Sequence, residues 1–175
     1  MQAETVDIAL SSGDRDEAIS RLYEEHALGL TRLALIMVGD RESAEDAVQD
    51  AFLGLHRRWR LLRDPAAAVP YLRSSVLNNA RSALRRRRLP SWFAGAYDPP
   101  VWSAESAALL GAERREVLDA LHRLPRRQRE ALVLRYYAEL SEEETAQAMG
   151  VTRGTVKSTT SRALDALGRI LGENA

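Results

Sequence analysis

Cysteine is absent from this 175-residue chain. That excludes a disulfide framework, a thiolate zinc site and a cysteine nucleophile, and it fits a reducing compartment. Aromatic residues make up only 6% of the chain, although 45% of it is hydrophobic, enough for a packed core. No apolar run approaches the ~18 residues that a membrane-crossing helix requires. The N-terminus carries Glu4 and Asp7 and lacks both a basic start and an apolar segment, so it does not read as a signal peptide. The three histidines, His26, His56 and His122, are scattered, and no H-E-x-x-H, P-loop or other glycine-rich phosphate motif occurs. His26 sits on an apolar helical stripe and is expected to be a core histidine. The chain is therefore expected to be soluble and cytoplasmic, without membrane contact, cofactor or metal, and not an enzyme.

A surplus of one charge is also missing, since 25 basic residues balance 25 acidic ones. Their distribution is uneven. Residues 1–55 carry a net charge of −8, residues 56–90 a net of +9, and residues 91–175 a net of −1. Two oppositely charged surfaces suggest two different partners, one of them anionic.

The most informative stretch runs from Ser141 to Leu171. Ser141 and Glu144 stand in the S-x-x-E capping-box spacing that opens a helix. Gly150 supplies the left-handed turn that ends it, and Thr152 can cap a second helix extending to about Leu171. Val156, Thr160, Ala163, Leu167 and Ile170 form one apolar stripe on that helix. Arg153, Thr155, Lys157, Ser158, Ser161 and Arg162 belong to its early, polar part. Cations and small hydroxyls at the start of a second helix suit phosphate and base-edge contacts on double-stranded DNA. The spacing thus predicts a helix-turn-helix.

Helical periodicity persists upstream. A first helix is expected over about 14–38, a second over 41–60 after Gly39-Asp40, and a third over 69–88 with Pro70 in its first turn. Three prolines and a glycine within 89–106 argue for a linker, unusual in carrying Trp92, Phe93, Tyr97 and Trp102. Helices over 113–122 and 125–138 precede the helix-turn-helix. No strand-like alternation and no internal repeat appears. The fold class is therefore all-α: a disordered stretch over 1–13, a helical domain over 14–88, a flexible linker over 89–112 and a second helical domain over 113–172.

Two further faces carry chemistry. On the second helix, Glu42, Asp46, Gln49 and Asp50 fall at spacings of about four with Leu53 beside them, an acidic stripe suited to a basic helical partner. The third helix carries Asn78, Asn79, Arg81, Arg85 and Arg86 and ends in four consecutive arginines. Such a surface neutralises phosphates, while asparagine can read an exposed base edge.

These motifs, in this order, resemble the extracytoplasmic-function (ECF) sigma factors of bacterial RNA polymerase. The resemblance rests on AEDAVQDAF (Ala44–Phe52), YLRSSVLNNARSALRRRR (Tyr71–Arg88) and the stretch Leu124–Leu164 with its GTVKS segment. It implies a region 2 bundle and a region 4 helix-turn-helix. Asp46, Gln49, Asp50 and Leu53 would bind core RNA polymerase. Arg63, Asn78, Asn79, Arg81, Arg85 and Arg86 would meet the single-stranded −10 element. Arg153, Thr155, Lys157, Ser158, Ser161 and Arg162 would meet the double-stranded −35 element. An anti-sigma factor is a further implied partner. Members of the family often carry a bulky aromatic at the position of Ser161 and tryptophan at that of Tyr71. The competing expectation is a stand-alone helix-turn-helix regulator that dimerises on a palindromic operator.

Overall fold

The computed structural model describes residues 12–62, 64–87, 104–111 and 114–172. Arg63, residues 1–11 and the four aromatics expected in the linker lie outside the described residues. Eight α-helices are present among the described residues, and no strand. They are α1 (Ser12–Val38), α2 (Arg41–Arg58), α3 (Ala68–Arg87), α4 (Ala104–Leu110), α5 (Arg115–Arg123), α6 (Arg126–Leu132), α7 (Glu142–Met149) and α8 (Arg153–Gly172).

In the N-terminal half, local chemistry sets each boundary. Gly39 takes a positive φ of 83° at the end of α1, and the Asp40 carboxylate accepts from the Ser43 amide at 2.9 Å, capping α2. The inner face of α2 buries Ala44, Ala47, Val48, Ala51, Phe52 and Leu55. The helix gives way at Trp59 to a tight turn in which that indole is buried. Asp64 then caps a second short turn, Pro65–Ala67, through the Ala66 amide at 2.9 Å. That turn feeds α3, whose Leu72, Val76, Leu77 and Ala80 are fully buried.

The end of α1 organises the whole molecule. Leu33, Ala34, Leu35, Ile36, Met37 and Val38 are consecutive, and each is at most 5% exposed. Successive helical residues point in all directions, so such a run needs cover on every side. Helices α2 and α3 cover one side, while α4, α5 and α6 touch the other. One continuous core accordingly runs from Leu35, Leu55 and Leu77 to Leu118, Leu134 and Met149. Polar contacts also cross between the halves. Arg32 Nε donates to the Leu109 carbonyl at 2.9 Å, and the Arg81 guanidinium pairs with the buried Glu130 carboxylate.

In the C-terminal half, α6 continues into one wider, π-type turn, Val133–Tyr137. Glu139 follows with φ 53°, and the Arg135 side chain donates to the Leu140 carbonyl. Ser141 and Glu144 form the expected capping box: the Ser141 amide donates to Glu144 at 2.8 Å and the Glu144 amide to the Ser141 hydroxyl at 3.2 Å. This bond to the Ser141 amide holds the Glu144 carboxyl below its ordinary pKa. Gly150 ends α7 with φ 66°, and Thr152 accepts from the Thr155 amide at 3.2 Å. A second small cluster, Leu124, Leu132 and Ala163 with Leu167 and Ile170 against it, fixes the C-terminal part of α8.

Three expectations are corrected. Helix α4 lies within the span read as linker: the run Ala104–Leu110 is rich in strong helix formers, Gly111 ends it with φ 87°, and Leu110 is buried in the core. Helix α1 starts at Ser12, two residues earlier than the periodicity suggested. His26 is not a core residue; its side chain is one third exposed and lies 3.7 Å from the Glu25 carboxylate. Ile19, Leu22 and Ala27 on either side of it still pack against the core, so His26 stands at the margin of the buried face rather than within it. The buried histidine is instead His122, beside Arg129 and the backbone of Ile36. Burial, and then the Arg129 charge, depress its pKa from 6.5 to about 3.

Leu35 is fully buried where both halves meet. Leu35→Ala is expected to lower unfolding stability by about 3 kcal/mol in chemical denaturation. His122 is neutral in the folded protein at neutral pH, so its contribution is intact above pH 6.5 and declines as pH falls toward about 3, because the unfolded chain takes up the proton first. The denaturation midpoint should therefore drop between pH 6.5 and about 5, above most carboxylate titration, and His122→Gln should flatten that slope.

Candidate nucleic-acid interface

The acidic stripe forms one open face of α2. Asp46, Gln49 and Asp50 are exposed, and Leu53 is an exposed large apolar side chain among them. The opposite face of the helix is buried, so its orientation is fixed. Tyr23 of α1 supports it, with its ring 5.0 Å from that of Phe52 in an edge-on arrangement. Glu45, a turn away, is occupied by Arg41 at 2.5 Å.

The six residues expected at the −10 element, five of them on α3, separate into different situations. Arg63 lies outside the described residues. Arg85 and Arg86 are exposed, with Arg85 held to the Ser82 hydroxyl at 2.7 Å. Asn78 is exposed and accepts from Arg81 at 2.7 Å. Asn79 is turned inward: its amide donates to the Ala47 carbonyl at 2.9 Å, tying α3 to α2. Arg81 is largely covered and faces Glu130, with Nε 3.3 Å from one carboxylate oxygen.

Between α2 and α3 lies an open polar groove of about 420 Å³, lined by Asp50, Gly54, Arg57, Arg58, Tyr71, Ser75, Asn78 and Asn79. It brings Asp50 of the acidic stripe together with Asn78 and Asn79 of the basic helix, which sequence spacing had assigned to separate surfaces. A Cβ on Gly54 would meet the Tyr71 hydroxyl at 3.0 Å. The glycine therefore gives the tyrosine room at the groove wall. Arg57, Arg58 and Ser75 were not singled out from sequence. Arg57 and Arg58 lie in the last turn of α2 and Ser75 on α3, so they meet at one groove only once the two helices are paired.

Helix α8 presents the expected polar face. Arg153, Thr155, Lys157, Ser158, Ser161 and Arg162 are all exposed, whereas Val156 and Ala163 are fully buried. Ser158 donates to the Thr155 carbonyl at 3.2 Å, and Arg162 Nε donates to the Ser158 carbonyl at 3.1 Å. Arg162 is thus laid along the helix one turn from Ser158. Arg153 lies between two carboxylates of α7, 3.7 Å from Glu142 and 3.6 Å from Glu143. Lys157 and Ser161 hold no such partner among the described residues. Rigid backbone, exposed cations and small hydroxyls on one helix are what a duplex groove accepts.

Known proteins match this arrangement in both halves. Residues 22–89 match the Sigma-70 region 2 family and residues 114–167 the Sigma-70, region 4 family. The chain is 36% identical over 135 residues to the RNA polymerase sigma-E factor of Streptomyces coelicolor, covering 77% of this chain and 75% of that protein. It is 35% identical over 163 residues to the ECF RNA polymerase sigma factor SigM of Mycobacterium tuberculosis, covering 92% and 80%. Two solved structures share the fold. CnrH in complex with the cytosolic domain of CnrY has a TM-score of 0.69 at 22% identity, covering 94% of each chain. RpoE in complex with the anti-sigma factor NepR from Bartonella quintana has a TM-score of 0.67 at 24% identity, covering 87% of this chain and 98% of that one. With region 2 packing α1 to α3, region 4 carrying the helix-turn-helix, and relatives of this identity along most of its length, the chain belongs to the sigma-70 family of RNA polymerase sigma factors, in its extracytoplasmic-function branch.

Proposed function

We propose that this sigma factor works through three surfaces, each with its own partner. The acidic face of α2, Asp46, Gln49, Asp50 and Leu53, docks on core RNA polymerase. Helix α3 and the groove beside it take the single-stranded −10 element, with Arg85 and Arg86 on phosphates and Asn78 at a base edge. Arg63 belongs to the same set by its place in the sequence. Arg81 joins them once it is released from Glu130, and Asn79 acts by holding α3 on α2. Helix α8 takes the −35 duplex through Thr155, Lys157, Ser158, Ser161 and Arg162, with Arg153 on the backbone.

One observation carries this proposal: a rigid acidic face and an exposed cationic recognition helix occur in the same short chain. A regulator that acts alone on an operator needs the second but not the first. The proposal divides the chain into a polymerase- and −10-binding domain over 14–88 and a −35-binding domain over 113–172. Weak contacts at each element add up once polymerase holds both domains near the DNA. The protein acts in the cytoplasm by binding, not by catalysis. An anti-sigma factor is proposed as a further partner, because the RpoE neighbour is held by one, NepR.

Reconstituted transcription with core polymerase is the direct test. Asp46→Arg places a cation on the exposed acidic face, so it should abolish capture of core polymerase in a pull-down while leaving helix content by circular dichroism unchanged. Lys157→Ala and Arg162→Ala should each weaken −35 duplex binding by about 1–3 kcal/mol in titrations at fixed salt. Lys157→Ala should also reduce the salt-dependence slope by about 1 if it meets phosphate. Unaltered promoter output in both variants, or tight palindrome binding by the free protein, would argue against this function.

A further inference from the structure

Gly54 sits inside α2, where a glycine weakens a helix. The local backbone does not call for one, since the glycines with positive φ among the described residues are Gly39, Gly111 and Gly150. The reason is space. A Cβ at Gly54 would stand 3.0 Å from the Tyr71 hydroxyl, whereas at Gly29 and Gly168, also helical, it would meet nothing within 4 Å. The phenol oxygen of Tyr71 therefore lies over bare backbone of α2, at the wall of the groove that both residues line.

Tyr71 is held there by its own helix. It stands in the first turn of α3, next to the fully buried Leu72, and its ring packs against the core. Ser75 and Asn78 follow at spacings of four and three, so all three share one face of α3 along the groove. Much of the neighbouring polar capacity is already used. Asn79 donates to the Ala47 carbonyl. The Asn78 side-chain oxygen accepts from Arg81, which leaves Asn78 its amide protons. The Tyr71 hydroxyl has no hydrogen-bond partner among the described residues. A hydroxyl can donate and accept, so a fixed ring here offers an unspent group of both kinds beside a donor.

We propose that Tyr71 is a specificity-determining residue of this groove: its hydroxyl, given room by Gly54, hydrogen-bonds the edge of an unstacked nucleobase and selects which base the groove accepts. The inference rests on the groove taking the −10 strand. Phosphate contacts from Arg85 and Arg86 position a strand but carry no sequence information. A hydroxyl on a fixed ring supplies the discrimination they lack, because a base that fails to pair with it leaves a polar group unsatisfied. The accepted edge offers an acceptor to the Asn78 amide and a matching group to Tyr71.

The test uses holoenzyme assembled from core polymerase and the full chain. Promoter DNA with a single-stranded −10 segment is titrated with each base in turn, or an abasic site, at each −10 position. Wild type is expected to prefer one base at one position by about tenfold. Tyr71→Phe removes only the hydroxyl. It should flatten that preference to about twofold while leaving affinity for the abasic strand unchanged. Gly54→Val fills the space over α2 and should flatten the same position. Adding Tyr71→Phe to it should cost nothing further, since both changes remove one contact. Tyr71→Phe alone decides the matter should Gly54→Val lose helix content. A preserved base profile in Tyr71→Phe overturns the inference. So does an equal loss for every base and for the abasic strand, which marks a packing role. Arg85→Ala with Arg86→Ala checks the reading of the groove separately. Weakened strand binding there, beside an unaltered Tyr71→Phe profile, rejects the role of Tyr71 while leaving the −10 assignment standing.

Discussion

A helix end buried on every side has to be covered twice, and that demand shapes this molecule. Leu33 to Val38 exclude water all round the last turns of α1, which neither α2 with α3 nor the C-terminal helices could achieve alone. Core formation in region 2 and docking of region 4 thereby share the same side chains. The two halves cannot be stable and independent in the closed form, because separating them uncovers apolar surface on a helix that the first half needs for its own packing. The polar links at Arg32, Arg81 and His122 lie around this apolar seam and give it a fixed register.

The recognition helix was legible in the sequence because its signals are local. A capping box, a left-handed glycine and a capping threonine each act within about one helical turn, so Ser141, Gly150 and Thr152 do in the structure what their spacing says. The outward faces of α2 and α8 were legible for a similar reason, since helical period separates polar from apolar positions. What failed to show was relational. Arg81 and Glu130 are 49 residues apart, and no periodicity in α3 or α6 pairs them. Arg81 looked like one more phosphate-binding cation, and Asn79 like a base reader, although its amide ties two helices together. Helix α4 was hidden by its neighbours: prolines just upstream outweighed a short run of good helix formers.

The histidines make the same point from another side. His26 sits on an apolar stripe yet is partly exposed, whereas His122, one turn after Leu118 on the inner face of α5, is buried and kept neutral. A stripe tells which face turns inward but not how deeply each position along it is covered. Helix α1 spans 27 residues, and the dense burial occupies only its final turns. Charge behaves likewise. A chain of zero formal net charge still offers an anionic face at α2 and a cationic one at α3 and α8, because the fold sorts the charges that the sequence intermingles.

The placement of Arg153 between Glu142 and Glu143 bears on how the protein searches. Exposed ion pairs of this kind contribute little to stability, so their removal would hardly trouble the fold. On DNA, however, a guanidinium already attended by carboxylates displaces fewer counterions than a bare one, and the carboxylates repel the same phosphates. With α8 on duplex as proposed above, indiscriminate attraction would be softened at the front of that helix, while Lys157 and Ser161, further along it, hold no carboxylate partner among the described residues. Shorter stays on the wrong sequence mean more sites sampled in a given time. On that proposed contact, a single guanidinium flanked by two carboxylates would shift the balance from holding DNA toward scanning it.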